Sequence, residues 1–292
     1  MGDDNIVASD LAGSSSRLED SPVITTFDKI EGLGNDFIVV DARLTPTLAR
    51  EVCDRHRGIG ADGVLFVDTV ARSMRVMNAD GSRPEMCGNG IRCVMLWLAQ
   101  RDLVSAGKTL TIDTDAGPHA CTLLSLDGSR ASVRVAMRPY LMDPAPALVK
   151  SDAPLIEADV PVDEVHHVIG TYVSMGNPHW VVFDAEAQKA EALAPALERH
   201  PLFPSHVNVG LAEVLGPRSL SLKVYERGVG YTQACGTGAC AAAAAAVETG
   251  RMSRGKPIEV HLPGGTLEIL VSDRGSPVFM TGPARHVFRG EI

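Results

Sequence analysis

The sequence lacks the long apolar run that a membrane-spanning helix requires. No stretch of the chain approaches the roughly 20 uninterrupted apolar residues of such a helix. The start of the chain is acidic and rich in serine, and it has no apolar segment of the kind found in a secretory signal peptide. These absences predict a cytoplasmic protein with no membrane partner. We interpret residues 1–22 as a disordered tail or a start-site extension.

Positive charge is also scarce. The 292 residues include 27 lysine and arginine residues against 36 aspartate and glutamate residues, which gives a net charge of −9 at pH 7, and the basic residues form no run. Nucleic-acid-binding proteins normally carry a basic patch or stripe, so no nucleic-acid partner is expected. Hydrophobic residues make up 45% of the chain and charged residues 22%, which is typical of a globular protein with one large domain or two ordinary ones.

Cysteine is not abundant: the chain has six, a number that would suit disulfides in a small secreted protein. In a long cytosolic protein, cysteines are more often buried thiols, catalytic groups or metal ligands. Cys87 and Cys235 each begin a Cys-Gly-x-Gly motif, which a second cysteine and a run of good helix formers follow. The two motifs lie half a chain length apart, and a strand-like run precedes each one, at residues 73–77 and 219–225. This pattern indicates one structural unit used twice.

The remainder of the chain is rich in strand-like segments. β-Branched or alternating runs predict strands at residues 36–41, 64–68, 109–113, 131–137, 171–175, 180–183, 207–214, 258–262 and 266–272. Helical patterns occur at about 47–56, 90–101, 186–199 and 237–249. Helices do not alternate regularly with the strands, which argues against a doubly wound parallel sheet. We predict an α+β fold of two pseudo-symmetric halves, each a curved, mostly antiparallel sheet wrapped around a central helix, with the boundary near residues 139–146.

The position of Cys87 and Cys235 at predicted helix starts gives both thiols a possible chemical role. Unpaired backbone N–H groups and the helix dipole stabilise an anion there, which favours a thiolate and a bound carboxylate. Two such units facing each other would put one thiol on each side of a substrate carbon. One sulfur could then remove an α-proton while the other delivers a proton from the far side.

Two other interpretations stay open at this point. Both cysteines could be buried structural residues at tight turns. The pairs Cys87/Cys93 and Cys235/Cys240 could also hold zinc, although their spacing differs from the two-residue spacing common in structural zinc sites. Cys93 and Cys240 fall inside the predicted helices and are expected to be buried, as are Cys53 and Cys121.

From about residue 26 to the C-terminus, the chain resembles the diaminopimelate epimerase family. The matching motifs, in the order of the family, occupy residues 29–37, 58–63, 78–82, 86–92, 176–179, 207–209, 225–228, 234–240 and 263–265. A single Cys-Gly-x-Gly would be a weak signal, but this ordered series is very specific.

The resemblance implies an isomerase that interconverts LL- and meso-diaminopimelate, for lysine and peptidoglycan precursor synthesis, without pyridoxal phosphate, another cofactor or a metal. It implies a homodimer, and two halves at residues 23–140 and 141–283, with a final strand at 284–292 that joins the first half. Cys87 and Cys235 match the catalytic pair, and His179 matches a histidine near the thiols. The residues that match the substrate-binding set are Asn35, Asn78, Gly88, Asn89, Asn177, Asn208, Glu226, Arg227, Gly236 and Thr237.

One departure from the family pattern falls close to the second thiol. The family usually has a Glu-Thr pair where this chain has Tyr231 and Thr232. A phenol in place of a carboxylate would change the local charge, and it leaves open a related racemase that acts on another amino acid. Proline racemases usually carry histidine at the position of Asn89, and phenazine-type isomerases lack the cysteine pair. A non-catalytic thiol or redox protein is the alternative from a different class.

Overall fold

A computed structural model describes residues 26–41, 45–84 and 86–291, so the predicted tail at residues 1–22 lies outside the described residues. The described part contains sixteen strands and five α-helices. No helix in these ranges is long and apolar enough to cross a membrane.

The first half of the chain forms a ring of strands around one helix. Its strands are β1 (Thr26–Gly32), β2 (Asn35–Val40), β3 (Gly63–Asp68), β4 (Ser73–Asn78), β5 (Thr109–Thr114), β6 (Gly117–Asp127) and β7 (Arg130–Ala136), and its helices are α1 (Pro46–Cys53) and α2 (Gly88–Ala99). Neighbouring strands pair in chain order, mostly antiparallel, with parallel pairing of β2 with β3 and of β4 with β5. Every residue of α2 is buried, so this helix forms the centre of the half.

In the second half, strands again pack around a central helix. Its strands are β8 (Ala158–Pro161), β9 (His167–Ser174), β10 (Pro178–Phe183), β11 (Asn208–Gly216), β12 (Ser219–Glu226), β13 (Gly230–Thr232), β14 (Pro257–Leu262) and β15 (Gly265–Leu270), and its helices are α3 (Asp184–Ala190), α4 (Ala194–Glu198) and α5 (Gly236–Glu248). The alanines at positions 241–246 of α5 are fully buried. Their small side chains let the surrounding strands approach the helix closely.

The last strand, β16 (Phe279–Glu291), connects the two halves. Its first part pairs with β7 on one side and β15 on the other, and its last part pairs with β1. The pairing with both β7 and β1 closes the ring around α2, while β15 continues the hydrogen bonding into the second half. The predicted α+β fold with two sheet-wrapped helices is confirmed. The exact division into residues 23–140 and 141–283 stays a prediction.

The boundaries of the helices follow local sequence signals. The single helix predicted at 186–199 is two helices, α3 and α4, because Pro195 lies in the first turn of α4 and cannot continue a preceding helix. Helix α1 begins after Thr45, whose hydroxyl accepts the Leu48 amide at 3.2 Å.

The predicted strands are all present, and the strands that the pattern missed are β1, β6, β8, β13 and β16.

Candidate active site

The two thiols cap the two central helices in the same way. Cys87 precedes α2 and Cys235 precedes α5, both with extended backbone conformations. The Cys87 sulfur accepts the Gly90 amide at 3.3 Å, and the Cys235 sulfur accepts the Gly238 amide at 3.3 Å. This is the position at which a serine or aspartate oxygen normally caps a helix, so each sulfur lies in the field of backbone N–H groups.

The glycines of both motifs lie in closely packed surroundings. A Cβ atom on Gly90 would lie 2.9 Å from the Leu65 side chain, and one on Gly238 would lie 3.0 Å from Val224. At the first helical position, a Cβ on Gly88 would lie 3.7 Å from the Cα of Gly236. The N-terminal ends of α2 and α5 therefore meet, and both present the positive end of a helix dipole to the same region.

Asn89 connects the two thiol motifs. Its side-chain amide donates to Asn35 Oδ1 at 3.3 Å and to the backbone carbonyl of Ala234, the residue before Cys235, at 3.1 Å. Asn35 lies at the start of β2, and its Oδ1 is 3.9 Å from the Cys87 sulfur. The Asn35 amide nitrogen donates to Asp62 at 2.7 Å, which turns the oxygen of the same side chain toward the thiol.

A chain of polar side chains leads away from the second thiol. The hydroxyl of Thr237 is 3.6 Å from the Cys235 sulfur, and Asn177 donates to that hydroxyl at 3.3 Å. His179 contacts Asn177 Oδ1 through Nε2 at 3.2 Å. Burial lowers the pKa of His179 to about 3, so its ring is neutral at pH 7.

Glu226, at the end of β12, is the carboxylate next to Cys235. It accepts a hydrogen bond from the Thr232 hydroxyl at 2.6 Å and contacts the Cys235 thiol. Burial raises the pKa of Glu226, and these two hydrogen bonds partly oppose that effect. This group can therefore take up a proton more readily than an exposed glutamate.

Burial also raises the pKa of both capping thiols, which differs from the low pKa expected at a helix start. For Cys87, the amides of Gly90 and Asn89 and the charge of Arg92 oppose the effect of burial. For Cys235, the carboxylate of Glu226 raises the pKa further, and Thr237 and the Gly238 amide oppose it. Removal of water outweighs the helix-start amides here, so a thiolate depends on every positive group that faces it.

The other four cysteines are buried, as predicted. Burial raises the pKa of Cys53 to about 11 and that of Cys121 and Cys240 to about 12, and the pKa of Cys93 is also raised. In residues 26–41, 45–84 and 86–291, no group of three or more histidine, cysteine, aspartate or glutamate side chains could hold a metal ion.

Three predicted site residues make their contacts away from the thiols. Asn78, at the end of β4, donates to the Ser82 hydroxyl at 2.9 Å. Asn208 donates to the Pro178 carbonyl at 2.9 Å and accepts the backbone amide of Arg227 at 3.1 Å. The side chain of Arg227 is exposed and donates to the carbonyl of Ser205 at 2.8 Å.

Tyr231, the residue at which this chain departs from the family pattern, makes its contacts away from the second thiol. Its hydroxyl donates to the Glu191 carbonyl at 2.8 Å, and its ring packs edge-on against Tyr225. The neighbouring Thr232 is the side chain that contacts Glu226. The charge beside Cys235 therefore comes from Glu226, and the phenol does not change it.

Two residues of this region received no role from the sequence. Asp62 orients Asn35, and Arg92 donates to Asn89 Oδ1 at 3.1 Å. Both lie in segments that match the family, at residues 58–63 and 86–92. The signal that identifies Arg92 is an arginine within an otherwise apolar helix.

Solved structures with the same architecture are epimerases, racemases and related proteins. A hydroxyproline epimerase from Agrobacterium vitis aligns with a TM-score of 0.64 at 16% identity and covers 92% of this chain and 91% of its own. A probable proline racemase from Agrobacterium radiobacter K84 aligns with a TM-score of 0.66 at 16% identity, over 92% of both chains. A phenazine biosynthesis protein from Bacillus anthracis aligns at 0.65 and 17% identity, over 93% of this chain and 99% of its own. The chain thus has the fold of this epimerase and racemase group.

Proteins related to this chain in sequence identify one family within this group of folds. The family model described as "Diaminopimelate epimerase" matches residues 27–141 and 171–287. The diaminopimelate epimerase of Desulforudis audaxviator is 46% identical over 276 residues, which cover 91% of this chain and 98% of that protein. The diaminopimelate epimerase of Moorella thermoacetica is 44% identical over 283 residues, with coverages of 91% and 98%. The chain belongs to the diaminopimelate epimerase family and is an isomerase.

Proposed function

We propose that this protein interconverts LL- and meso-diaminopimelate without a cofactor, with Cys87 and Cys235 as its acid and base. The observation that supports this most directly is the meeting of two cysteine-capped helix starts, with Gly88 packed close to Gly236. The names of the relatives support diaminopimelate as the substrate. Lysine and peptidoglycan precursor synthesis is the pathway that this activity serves.

The proposed reaction moves one proton at each face of the α-carbon. The thiolate of one cysteine takes the α-proton, and the electrons of the broken C–H bond pass into the substrate carboxylate. The thiol of the other cysteine then donates its proton to the opposite face of the carbon. The site ends with the thiol and thiolate exchanged and the stereocentre inverted. Donors that face the carboxylate stabilise the intermediate, and the helix-start amides of Gly88, Asn89, Gly236 and Thr237 are suited to this.

The substrate-holding residues follow the same assignment. Asn35, Asn78, Asn177 and Asn208 offer both donors and acceptors to the amino and carboxylate groups. Glu226 faces a substrate amino group beside Cys235. Arg227 binds the remote carboxylate, for which its exposed planar guanidinium is suited. His179 supports Asn177 as a neutral ring.

We further propose that the protein acts in the cytoplasm as a homodimer. Leu126, Val287 and Phe288 are large apolar side chains with 40%, 47% and 45% of their surface exposed. The backbone amide of His286 donates to the Ser129 carbonyl at 2.7 Å, so these side chains are on neighbouring segments. A second copy would cover them. Sedimentation velocity should show a dimer that Phe288→Asp converts to a monomer, and a monomeric wild type would contradict the proposal.

Proton exchange in deuterium oxide tests the proposed chemistry. With EDTA present, the purified protein should incorporate deuterium at the α-carbon of LL-diaminopimelate, produce the meso form and show no pyridoxal absorbance. Cys87→Ala and Cys235→Ala should each abolish epimerisation, because one face then lacks its acid or base. Cys53→Ala and Cys121→Ala are the matched controls and should keep the activity. Loss of activity on chelation, or normal turnover by Cys87→Ala, would contradict the two-thiol reaction, and activity on proline alone would change the substrate.

A further inference from the structure

Arg92 is a completely buried arginine in the centre of the first half. It lies on the second turn of α2, and its side chain has no exposed surface. Its guanidinium donates to the Gly88 carbonyl at 3.0 Å, to Asn89 Oδ1 at 3.1 Å and to the Pro283 carbonyl at 3.1 Å. All three of these acceptors are neutral groups.

The fold leaves a slot for this guanidinium. A Cβ atom on Gly32 of β1 would lie 3.1 Å from Arg92 Nη2, and a Cβ on Gly282 of β16 would lie 3.1 Å from Arg92 Nε. The sulfur of Met280 closes the slot at 3.8 Å from Nη1. Both strands thus have a glycine, with no side chain, where the guanidinium lies. The space left by these two glycines accommodates the planar cation.

The charge of Arg92 lies close to the first thiol motif, because its guanidinium donates to the carbonyl of Gly88, the residue that follows Cys87. Burial lowers the pKa of Arg92, and Cys93, Cys87 and Cys240 oppose this effect, with a smaller contribution from Glu31 of β1. A buried cation without a carboxylate partner is costly unless an anion forms beside it. Of these thiols, Cys87 is the one at the helix start and in contact with Asn35.

Arg92 also determines how Asn89 is turned. Because Asn89 Oδ1 accepts the guanidinium, its Nδ2 faces the opposite way and donates to Asn35 and to the Ala234 carbonyl. The contact with Ala234 spans from the first thiol motif to the second. Reversal of this amide would break the bridge between the two motifs.

We propose that Arg92 is a positioning residue of the two-thiol site: it holds Asn89 as the bridge between the thiol motifs and supplies a fixed positive charge beside Cys87. The inference rests on the proposed function and extends it to a residue that does not contact the substrate. The charged groups that face Cys87 are Arg92 from α2 and Glu226 from β12. Arg92 lowers the pKa of the Cys87 thiol, and Glu226 raises it. Removal of Arg92 leaves Glu226 as the charged group that faces Cys87, with the amides of Gly90 and Asn89 as the remaining groups that lower the pKa of this thiol.

Alkylation of Cys87 measures this charge without relying on turnover. In a Cys235→Ser background, the rate of iodoacetamide addition to Cys87, followed by peptide mass spectrometry, reports its thiolate fraction at each pH. Arg92→Met should raise the alkylation pKa of Cys87 by about one pH unit, as expected when a nearby opposite charge is removed. Arg92→Lys should keep most of the charge and move this pKa less.

Turnover of the otherwise wild-type chain measures the bridge. Arg92→Lys loses the planar fork that orients Asn89, so kcat for epimerisation should fall at least tenfold with a smaller change in KM. Arg101→Met is the matched control, because Arg101 also lies in the α2 region but pairs with Asp28. It should lower the thermal midpoint and leave the Cys87 alkylation profile unchanged.

The outcomes separate the inference from the proposed function. An unchanged alkylation pKa in Arg92→Met together with unchanged kcat in Arg92→Lys would overturn the role of Arg92. If Arg92→Met does not fold, the Arg92→Lys kcat and the same measurement on Asn89→Ala decide, and normal kcat in both would overturn the role. A shifted Cys87 pKa in a protein that does not epimerise diaminopimelate would refute the proposed function and leave the effect of Arg92 on the thiol standing.

Discussion

The guanidinium of Arg227 is placed differently from the buried cation at Arg92. It is exposed, and its one hydrogen bond in the described part of the chain goes to the Ser205 carbonyl. Its backbone is held by Asn208, whose side chain accepts the Arg227 amide. An exposed arginine on a fixed backbone is suited to binding a ligand carboxylate, because little existing structure must be broken.

We predict that Arg227→Ala lowers kcat/KM for diaminopimelate by about two orders of magnitude. Loss of a bidentate, charge-assisted contact that the bound substrate covers costs about 2–4 kcal/mol. Arg227→Lys should recover part of this loss, since lysine keeps the charge without the planar fork. Steady-state kinetics and the thermal midpoint should be measured on the same preparations.

Arg199→Ala is the matched control for Arg227. Arg199 is similarly exposed and pairs with the carboxylate of Glu198. Its removal should leave kcat/KM unchanged. A normal kcat/KM in Arg227→Ala, accompanied by a lower thermal midpoint, would assign Arg227 a structural role and remove the residue from the substrate site.

Individual residues were predictable where the signal was local. Cys87 and Cys235 cap their helices because the capping position depends only on the next three residues, which the repeated motif displays. The slot for Arg92 depends on Gly32 and Gly282, which are far apart in the sequence. Its partners could not be identified before the strands were in place. The raised pKa of both thiols was not predictable either, because the burial that raises it is a property of the folded chain.

Strands were predictable where β-branched or alternating side chains form a run, and not where proline and charged residues interrupt the pattern. The runs that became β3, β10 and β14 are β-branched and bounded by turn residues. Strand β16 contains Pro283 and several charged side chains, so its pattern does not indicate a strand. It forms because β7 and β15 flank its first part and β1 pairs with its last, and this pairing is non-local.

The alanines of α5 should be intolerant of larger side chains. Positions 241–246 have no exposed surface, since β9, β12, β14 and β15 pack around the helix. We predict that Ala244→Leu lowers the free energy of unfolding by about 1–3 kcal/mol or more through overpacking. Val247→Leu, at a partly buried position of the same helix, should cost less than about 1.5 kcal/mol. Urea denaturation would measure both, and equal stability of the two variants would show that the core around α5 is loosely packed.

At the scale of the whole molecule, a polar cluster stabilises the closure of the ring around α2, where β1, the end of α2 and the last strand, β16, meet. The buried carboxylate of Asp28 accepts hydrogen bonds from Trp97 at 2.9 Å, Arg101 at 2.6 Å, His286 at 2.9 Å and Arg289 at 2.9 Å. Burial alone would raise the pKa of Asp28, but its hydrogen bonds to Arg289, Arg101 and His286 outweigh burial and lower that pKa. The ring around α2 therefore depends on an ionised carboxylate.

Asp28→Asn should destabilise the folded protein most at neutral pH. The substitution removes the carboxylate that accepts hydrogen bonds from Arg101 and Arg289, whose side chains are 29% and 56% exposed, so a loss of about 1.5–3 kcal/mol is expected. Because the pKa of Asp28 is lower in the folded protein than in the unfolded chain, its carboxylate stabilises the fold above the unfolded pKa of about 4, and this stabilisation is lost as pH falls through the folded pKa. The stability difference between wild type and Asp28→Asn should thus be largest at pH 7 and shrink below about pH 4.

Free energies of unfolding in urea at pH 7, 5 and 3.5 would measure this difference. The control is Asp159→Asn, at an exposed position that loses only a surface contact with His167, and it should change stability by about 1 kcal/mol or less. A difference that is the same at all three pH values would mean that Asp28 acts through packing and not through its charge.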